Sequence, residues 1–246
     1  MILSKRGLLL VAVLTLVVTL IISFPARVAY QWASPPALAV SGIHGTVWRG
    51  EADAVAAYGI VLRDVSWRIT PLQLFTGSAS YRVQGAPDSG FLEGNVGVTV
   101  GGTVKVSDLT ASLPLNIFAQ ALNIRGLQGE ASVQFDRLQL RDGLPVAADG
   151  TVQVNNLVAP RLSRDSIGGY RAEFFTQTDS VSASVEDTDG AVGLAGSLEI
   201  NDDRSYRFLG QVVAKPNTPA SLRQQLQYLG SANERGMREL RLEGSL

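Results

Sequence analysis

From residue 38 onward, apolar residues recur at almost every second position. Val65, Trp67 and Ile69 alternate with Ser66 and Arg68, and Ala79, Tyr81 and Val83 alternate with Ser80 and Arg82. A period of two belongs to strands with one buried and one wet face. Val96, Val98 and Val100 run into Gly101-Gly102, and Val104 and Val106 follow, which predicts a hairpin on a two-residue turn. A second hairpin is predicted over residues 130–155, folding at Arg141-Asp142-Gly143. Within it the apolar phase passes from odd (Val133, Phe135) to even (Leu138, Leu140), as a bulge near Asp136 requires. Residues 168–214 continue as strands with turns at 187–190 and 201–203, and 238–242 returns to strand. An antiparallel sheet with one wet face, or a curved sheet closing partly on itself, explains the pattern.

Two segments depart from this period. Residues 218–229 predict a helix, with Thr218 as cap, Pro219 in the first turn, Leu222, Leu226 and Leu229 on one stripe, and Gly230 after the end. The other is residues 7–26, which carry no charge; as a helix they would span about 30 Å, the hydrocarbon thickness of a bilayer. Lys5 and Arg6 precede the run and the first acidic residue is Glu51, so the positive-inside rule sends the long C-terminal part across the membrane. A cleaved signal peptide is the rival. Cleavage after Ala29 or Ala26 would put Arg27 or Phe24 at the third position back, and neither fits the small-x-small pattern. Tyr30 and Trp32 suit an aromatic belt at the outer interface. The division that follows is a cytoplasmic stub (1–6), a transmembrane helix (7–26), a linker containing Pro35-Pro36 (27–37) and a β-rich domain (38–246).

A short echo runs through the β region. Pro71-Leu72-Gln73-Leu74-Phe75 and Pro114-Leu115-Asn116-Ile117-Phe118 share one pattern, and each follows a strand. Repetition of a strand group ending in a short helical turn would lengthen a sheet, whose edge strands must then be blunted or paired.

Composition narrows the function classes. The formal net charge of −1 leaves no basic field for a nucleic acid. The absence of cysteine excludes disulfides, thiolate nucleophiles and Cys-ligated metals, and one histidine excludes two-His metal sites within the chain. Neither a nucleophile elbow, a phosphate loop nor a zinc-protease motif occurs, so no catalytic, cofactor or metal residues are assigned. His44, between Gly42 and Gly45, reads as a turn or strand residue. Glu51 and Asp53 share a strand face as a hydrolase dyad could, while Asp187/Asp189 and Asp202/Asp203 read as turn residues bonding their own backbone. Trp48 and Trp67 could dock a partner or stack on a glycan, although burial in the sheet is the ordinary role.

The chain resembles the type II secretion system protein N family. The resemblance runs through Phe24-Pro25-Ala26, Gly45-Thr46-Val47-Trp48-Arg49-Gly50-Glu51-Ala52, and Trp67 with Pro71-Leu72. Toward the C-terminus it is carried by Tyr206-Arg207-Phe208 with Gly210, then Pro219, Leu222, Leu226, Leu229-Gly230, and Gly236 with Leu240-Arg241-Leu242-Glu243-Gly244. It implies a non-enzymatic inner-membrane component of the machinery exporting folded periplasmic proteins, with its N-terminus cytoplasmic and its sheet periplasmic. It also implies partnership with other secretion subunits and kinship with AsmA-like envelope proteins, which hold a long curved sheet around an apolar groove. The expected fold is thus mainly β, one transmembrane helix followed by a curved antiparallel sheet as an open groove or half-barrel. The expected role is scaffold or assembly subunit in the bilayer, with Trp48 and Trp67 as partner contacts and no cofactor. The alternatives are lipid binding or transfer in the groove, and a glycan hydrolase using Glu51 and Asp53.

Overall fold

A computed structural model describes residues 5–33, 38–57, 60–69, 79–86, 89–99, 101–120, 123–178 and 180–245. The first copy of the echo (71–75), the paired prolines and Val100 lie outside them. Helix α1 (Lys5–Ile22) is followed by α2 (Ala26–Ala33). The strands are β1 (Leu38–Ser41), β2 (His44–Gly45), β3 (Arg49–Ala57), β4 (Ile60–Ile69), β5 (Ala79–Ala86), β6 (Phe91–Val98) and β7 (Val104–Pro114). After a 3-10 turn (Leu115–Phe118) come β8 (Gln128–Arg141), β9 (Leu144–Val158), β10 (Tyr170–Thr176), β11 (Ser180–Asp187), β12 (Val192–Asn201) and β13 (Ser205–Ala214). Helix α3 (Ala220–Leu226) then leads to β14 (Arg238–Ser245).

All the described strands join one 14-stranded antiparallel sheet, running β1-β3-β4 and then in chain order to β14, with β2 pairing β3 beside β1. The sheet is open, since β1 and β14 end the path. Asp142 and Gly143 both have positive φ (51° and 79°), the conformation of a two-residue type I′ turn, and Arg141 pairs with Leu144 as the sequence predicts. The register between β8 and β9 shifts between Phe135 and Arg137, at the expected bulge. The 99–103 connection is longer than a two-residue turn. The Thr99 N–H donates to the Thr103 carbonyl (3.0 Å) and the Thr103 N–H to Thr99 Oγ1 (3.2 Å), so pairing stops at Val98 and Val104.

The registers align one apolar row across the sheet. Trp67 lies opposite Val83, Leu109 opposite Phe135, Gly150 between Phe135 and Phe174, and then Ala183, Leu198, Phe208 and Leu242 follow strand by strand. Large rings alternate with glycines. A Cβ on Gly150 would sit 2.6 Å from both Cα and Cδ1 of Phe135, so the ring lies across the bare backbone of its neighbour. The Phe135 and Phe174 centroids are 5.5 Å apart with the ring planes tilted at 50°, within the range of a favourable aromatic pair.

The sheet also curls. Arg204, in the β12–β13 turn, donates to the Asp142 carbonyl (3.3 Å) in the β8–β9 turn. Four strand spacings separate those turns, about 19 Å in a flat sheet, so only curvature brings them together. Three apolar clusters fill the inner face. Phe135, Ala148 and Val181 form one; Leu115, Leu127, Ala131 and Ala159 form a second under the 3-10 turn; Ile167, Val192, Val212 and Leu222 form a third under α3. Val181 and Ala183 are 1% exposed, as in a closed core.

Two helical expectations are revised. Thr218 does not cap α3: its hydroxyl donates to the Ala191 carbonyl (2.5 Å) and accepts from the Lys215 N–H (2.7 Å), fixing the approach to the helix instead. Pro219 precedes the helix, and Leu222 is buried as expected. At the N-terminus, α1 has 18 residues, about 27 Å long, and stops at Ile22 where the uncharged run continues to Ala26. Pro25 has no N–H to extend the ladder, and it bridges to Thr46 of the sheet. Among the described residues no helix is long and apolar enough to cross a membrane. Residues 26–33, at the start of the expected linker, form α2.

The β11–β12 hairpin is pinned by Asp187, whose carboxylate pairs with Lys215 and accepts the Leu194 N–H (2.9 Å). Burial pulls the Asp187 carboxyl up, but the Lys215 ammonium and the Leu194 N–H together hold it below the usual carboxylate range. A depressed folded value means stabilisation that is present above the unfolded Asp value of about 3.9 and lost as pH falls through the folded one. We therefore expect Asp187→Asn to cost about 1–2 kcal/mol in denaturant unfolding at pH 7, with the gap from the parent narrowing as pH falls below about 3.9. A gap independent of pH would show that the charge is not what holds the hairpin. Gly150→Ala is expected to cost about 1–3 kcal/mol by forcing Phe135 and its backbone aside. Gly101→Ala, with nothing within 4 Å of the added methyl, should be tolerated.

Candidate functional site

The two tryptophans singled out by sequence meet at the junction between α1 and the sheet. The last carbonyls of a helix have no partner within it. Here the Trp48 indole N–H donates to the Ile21 carbonyl at 2.7 Å, capping α1 from 27 residues away. The Val47 N–H bonds the Phe24 carbonyl (3.0 Å), so the chain leaving α1 pairs with the chain entering β3. Trp48 in turn accepts the Ile69 N–H (2.8 Å), tying this connection to the end of β4. The Trp67 indole N–H donates to the Thr46 carbonyl (3.2 Å), and its ring covers Gly50, where a Cβ would lie 2.9 Å from Trp67 Cε2. Both tryptophans are half-buried. Helix α2 is fastened too: the Tyr30 hydroxyl donates to the Leu38 carbonyl (2.9 Å) and accepts the Val40 N–H (3.2 Å). Trp32 packs against Phe24 at 5.5 Å between centroids, yet is 77% exposed.

On the opposite, polar face of β3–β5 the register places three arginines side by side. Arg49 lies across from Arg68, and Arg68 across from Arg82. The next row holds His44, Glu51, Ser66 and Gln84. Together they line a hollow of about 520 Å³. His44 is exposed opposite Glu51, and Asp53 sits against Gly42 at the break between β1 and β2. The Asp203 carboxylate accepts the Ser205 N–H (2.8 Å), the turn role read from sequence. Among the described residues no group of three or more His, Asp or Glu could hold a metal ion.

Residues 36–241 match the profile of the type II secretion system (T2SS), protein N. That is most of the chain. It belongs to the type II secretion system protein N family. Two curated proteins, both named type II secretion system protein N, are similar over nearly their whole length. The one from Pectobacterium carotovorum subsp. carotovorum is 24% identical over 255 residues, covering 90% of each chain. The one from Vibrio cholerae serotype O1 is 26% identical over 243 residues, covering 94% of each. No solved structure matches. Protein N of this family is a secretion-system component, and the profile covers the sheet from just before β1 into β14.

Sequence reasoning named Trp48 and Trp67 but missed their bonds to Ile21 and Thr46, because no local pattern announces a cap supplied from 27 residues away. It also missed the arginine row, which exists only once the register is known. Trp48→Phe keeps a ring and deletes the N–H, leaving the Ile21 carbonyl with the longer bond from the Phe24 N–H (3.3 Å) alone. We expect faster proteolysis around residues 23–26 and a loss of about 0.5–1.5 kcal/mol; unchanged cleavage would show that the junction is held without the indole.

Proposed function

We propose that this protein N homologue is an inner-membrane scaffold or assembly subunit of a type II secretion system, anchored by its N-terminal helix with the sheet in the periplasm. The family match across the sheet carries the reading. The uncharged run 7–26 after Lys5 and Arg6 supports an anchor with a cytoplasmic N-terminus. An exposed Trp32 and an exposed Arg27 on α2 suit an element lying at the water–lipid interface. The junction at Trp48 supports a helix and sheet that move as one body, as a subunit transmitting position from the bilayer would need.

Contacts with other subunits are assigned to the region of Trp48 and Trp67, where the indole faces remain half-exposed while their N–H groups are used internally. Three packed clusters occupy the apolar face, and this favours the scaffold over the alternative of a lipid carried in the groove. A photo-reactive residue at position 48 or 67, activated in native membranes and analysed by mass spectrometry, tests the reading. Adducts to other inner-membrane secretion subunits are expected. Adducts to lipid alone, or none to any subunit, would overturn it.

A further inference from the structure

Like charges placed directly opposite one another across antiparallel strands repel. Arg49, Arg68 and Arg82 form such a row on three consecutive strands, all three exposed. Among the described residues no ion pair relieves it; the pairs present involve Arg137, Arg207, Lys215 and Arg241. At about 4.8 Å between strands, the three guanidinium groups span roughly 10 Å. The hollow they line contains one carboxylate, Glu51, against the three cations. Glu93 and Asp108 border a second hollow with Arg82, but none of these carboxylates pairs with the row, and the planar fork of arginine matches the oxygens of a phosphate.

Position selects the kind of phosphate. Arg49 opens β3 next to Trp48, and Arg68 is the penultimate residue of β4, next to Ile69. Trp48 bonds both the Ile21 carbonyl at the end of α1 and the Ile69 N–H. The row is therefore fixed beside the C-terminal end of α1, which in the proposed anchored orientation is the level where headgroups lie. We infer that Arg49, Arg68 and Arg82 form a seat for the phosphate of an anionic phospholipid headgroup. This inference rests on the anchored reading for the source of the phosphate. It differs from lipid carriage in the apolar groove, because the seat is on the other face and takes the headgroup, not the acyl chains.

The full chain in neutral detergent, examined by native mass spectrometry, tests it with short-chain phosphatidylglycerol, phosphatidylcholine and inorganic phosphate as probes. We expect one phosphatidylglycerol retained, phosphatidylcholine not retained at the same concentration, and no displacement by an equal concentration of phosphate. The triple variant Arg49→Gln/Arg68→Gln/Arg82→Gln should weaken phosphatidylglycerol about tenfold or more, the loss expected for one or more charge-assisted hydrogen bonds. Its thermal midpoint should be equal or higher, because the repulsion is gone, which separates lost binding from lost folding. The triple Arg→Lys variant keeps the charge without the fork and should fall between. Equal retention by the Gln variant, or equal retention of the two lipids, would overturn the seat. Displacement by phosphate at equal concentration would assign the site to a free anion, and crosslinks from position 66 in native membranes only to an acidic protein segment would assign it to a protein partner; either overturns the lipid source. An alkaline carbonate wash of membranes reads the anchor separately. Release of the chain would remove the anchored reading while leaving the lipid titration to be judged on its own result.

Discussion

The rings of Trp67, Phe135 and Phe208 lie against glycines, and the rest of the sheet depends on that arrangement. Beyond the 3-10 turn and α3, this open sheet has no second layer among the described residues to bury its apolar face. It can cover that face with its own side chains, but only if they lie down, and a ring lies down only where the adjacent residue has no Cβ. Gly50 under Trp67, Gly150 beside Phe135, and Gly196 and Gly210 around Phe208 supply those places. Bringing the rings flat lets the face close on itself, which is what the curl between the 142 and 204 turns reflects. Glycine therefore serves two ends in this chain: at positions 50, 150, 196 and 210 it makes room for a ring, while ten other described glycines have positive φ and use its backbone freedom.

Most strands were legible because a half-buried strand writes its period directly into the sequence. The turn at Asp142-Gly143 and the phase change at Asp136 could be placed to the residue, since a one-residue slip would turn every apolar side chain of Phe135 and Leu138 to water. Thr218 shows the limit of a local rule. A threonine before a proline-led helix fits a cap by spacing, but its hydroxyl found a closer acceptor at Ala191, in the strand hairpin beneath. Helix α2 was missed for a similar reason. Its eight residues are too short to stand out by periodicity, and it is held by a Tyr30 hydroxyl bonding to the β1 backbone, which no apolar pattern announces. The arginine row is the extreme case: positions 49, 68 and 82 have no regular spacing, and become neighbours only through two hairpin registers.

An unclosed sheet has two edges, and they are managed differently. At the first, β1 and β2 are short, broken at Gly42, and tied to α2 through Tyr30. At the last, Arg207 of β13 and Arg241 of β14 both donate to Glu243, so β14 carries a charge cluster near its end. Short broken strands and charged edges both discourage indiscriminate pairing. A partner strand could still add to β14, but it would have to match the Arg-Glu alternation, and that requirement gives the edge selectivity.

These features are arranged with a direction. Among the described residues α1 and the segment after it meet the first strands of the sheet, through Trp48 on Ile21, Val47 on Phe24 and Tyr30 on β1, so the sheet is held at one side and extends from it strand by strand. From β3, eleven strand spacings of about 4.8 Å would carry β14 about 53 Å away in a flat sheet, and less in a curled one. In the anchored orientation, rigidity across the sheet then matters more than total stability, because any looseness near Gly150 would be multiplied at the far edge. The packed clusters lie along β7 to β13, in that stretch. Fixing one side to a helix while stiffening the span beyond it suits a protein that sets the distance between a membrane and a partner better than one that opens to admit cargo.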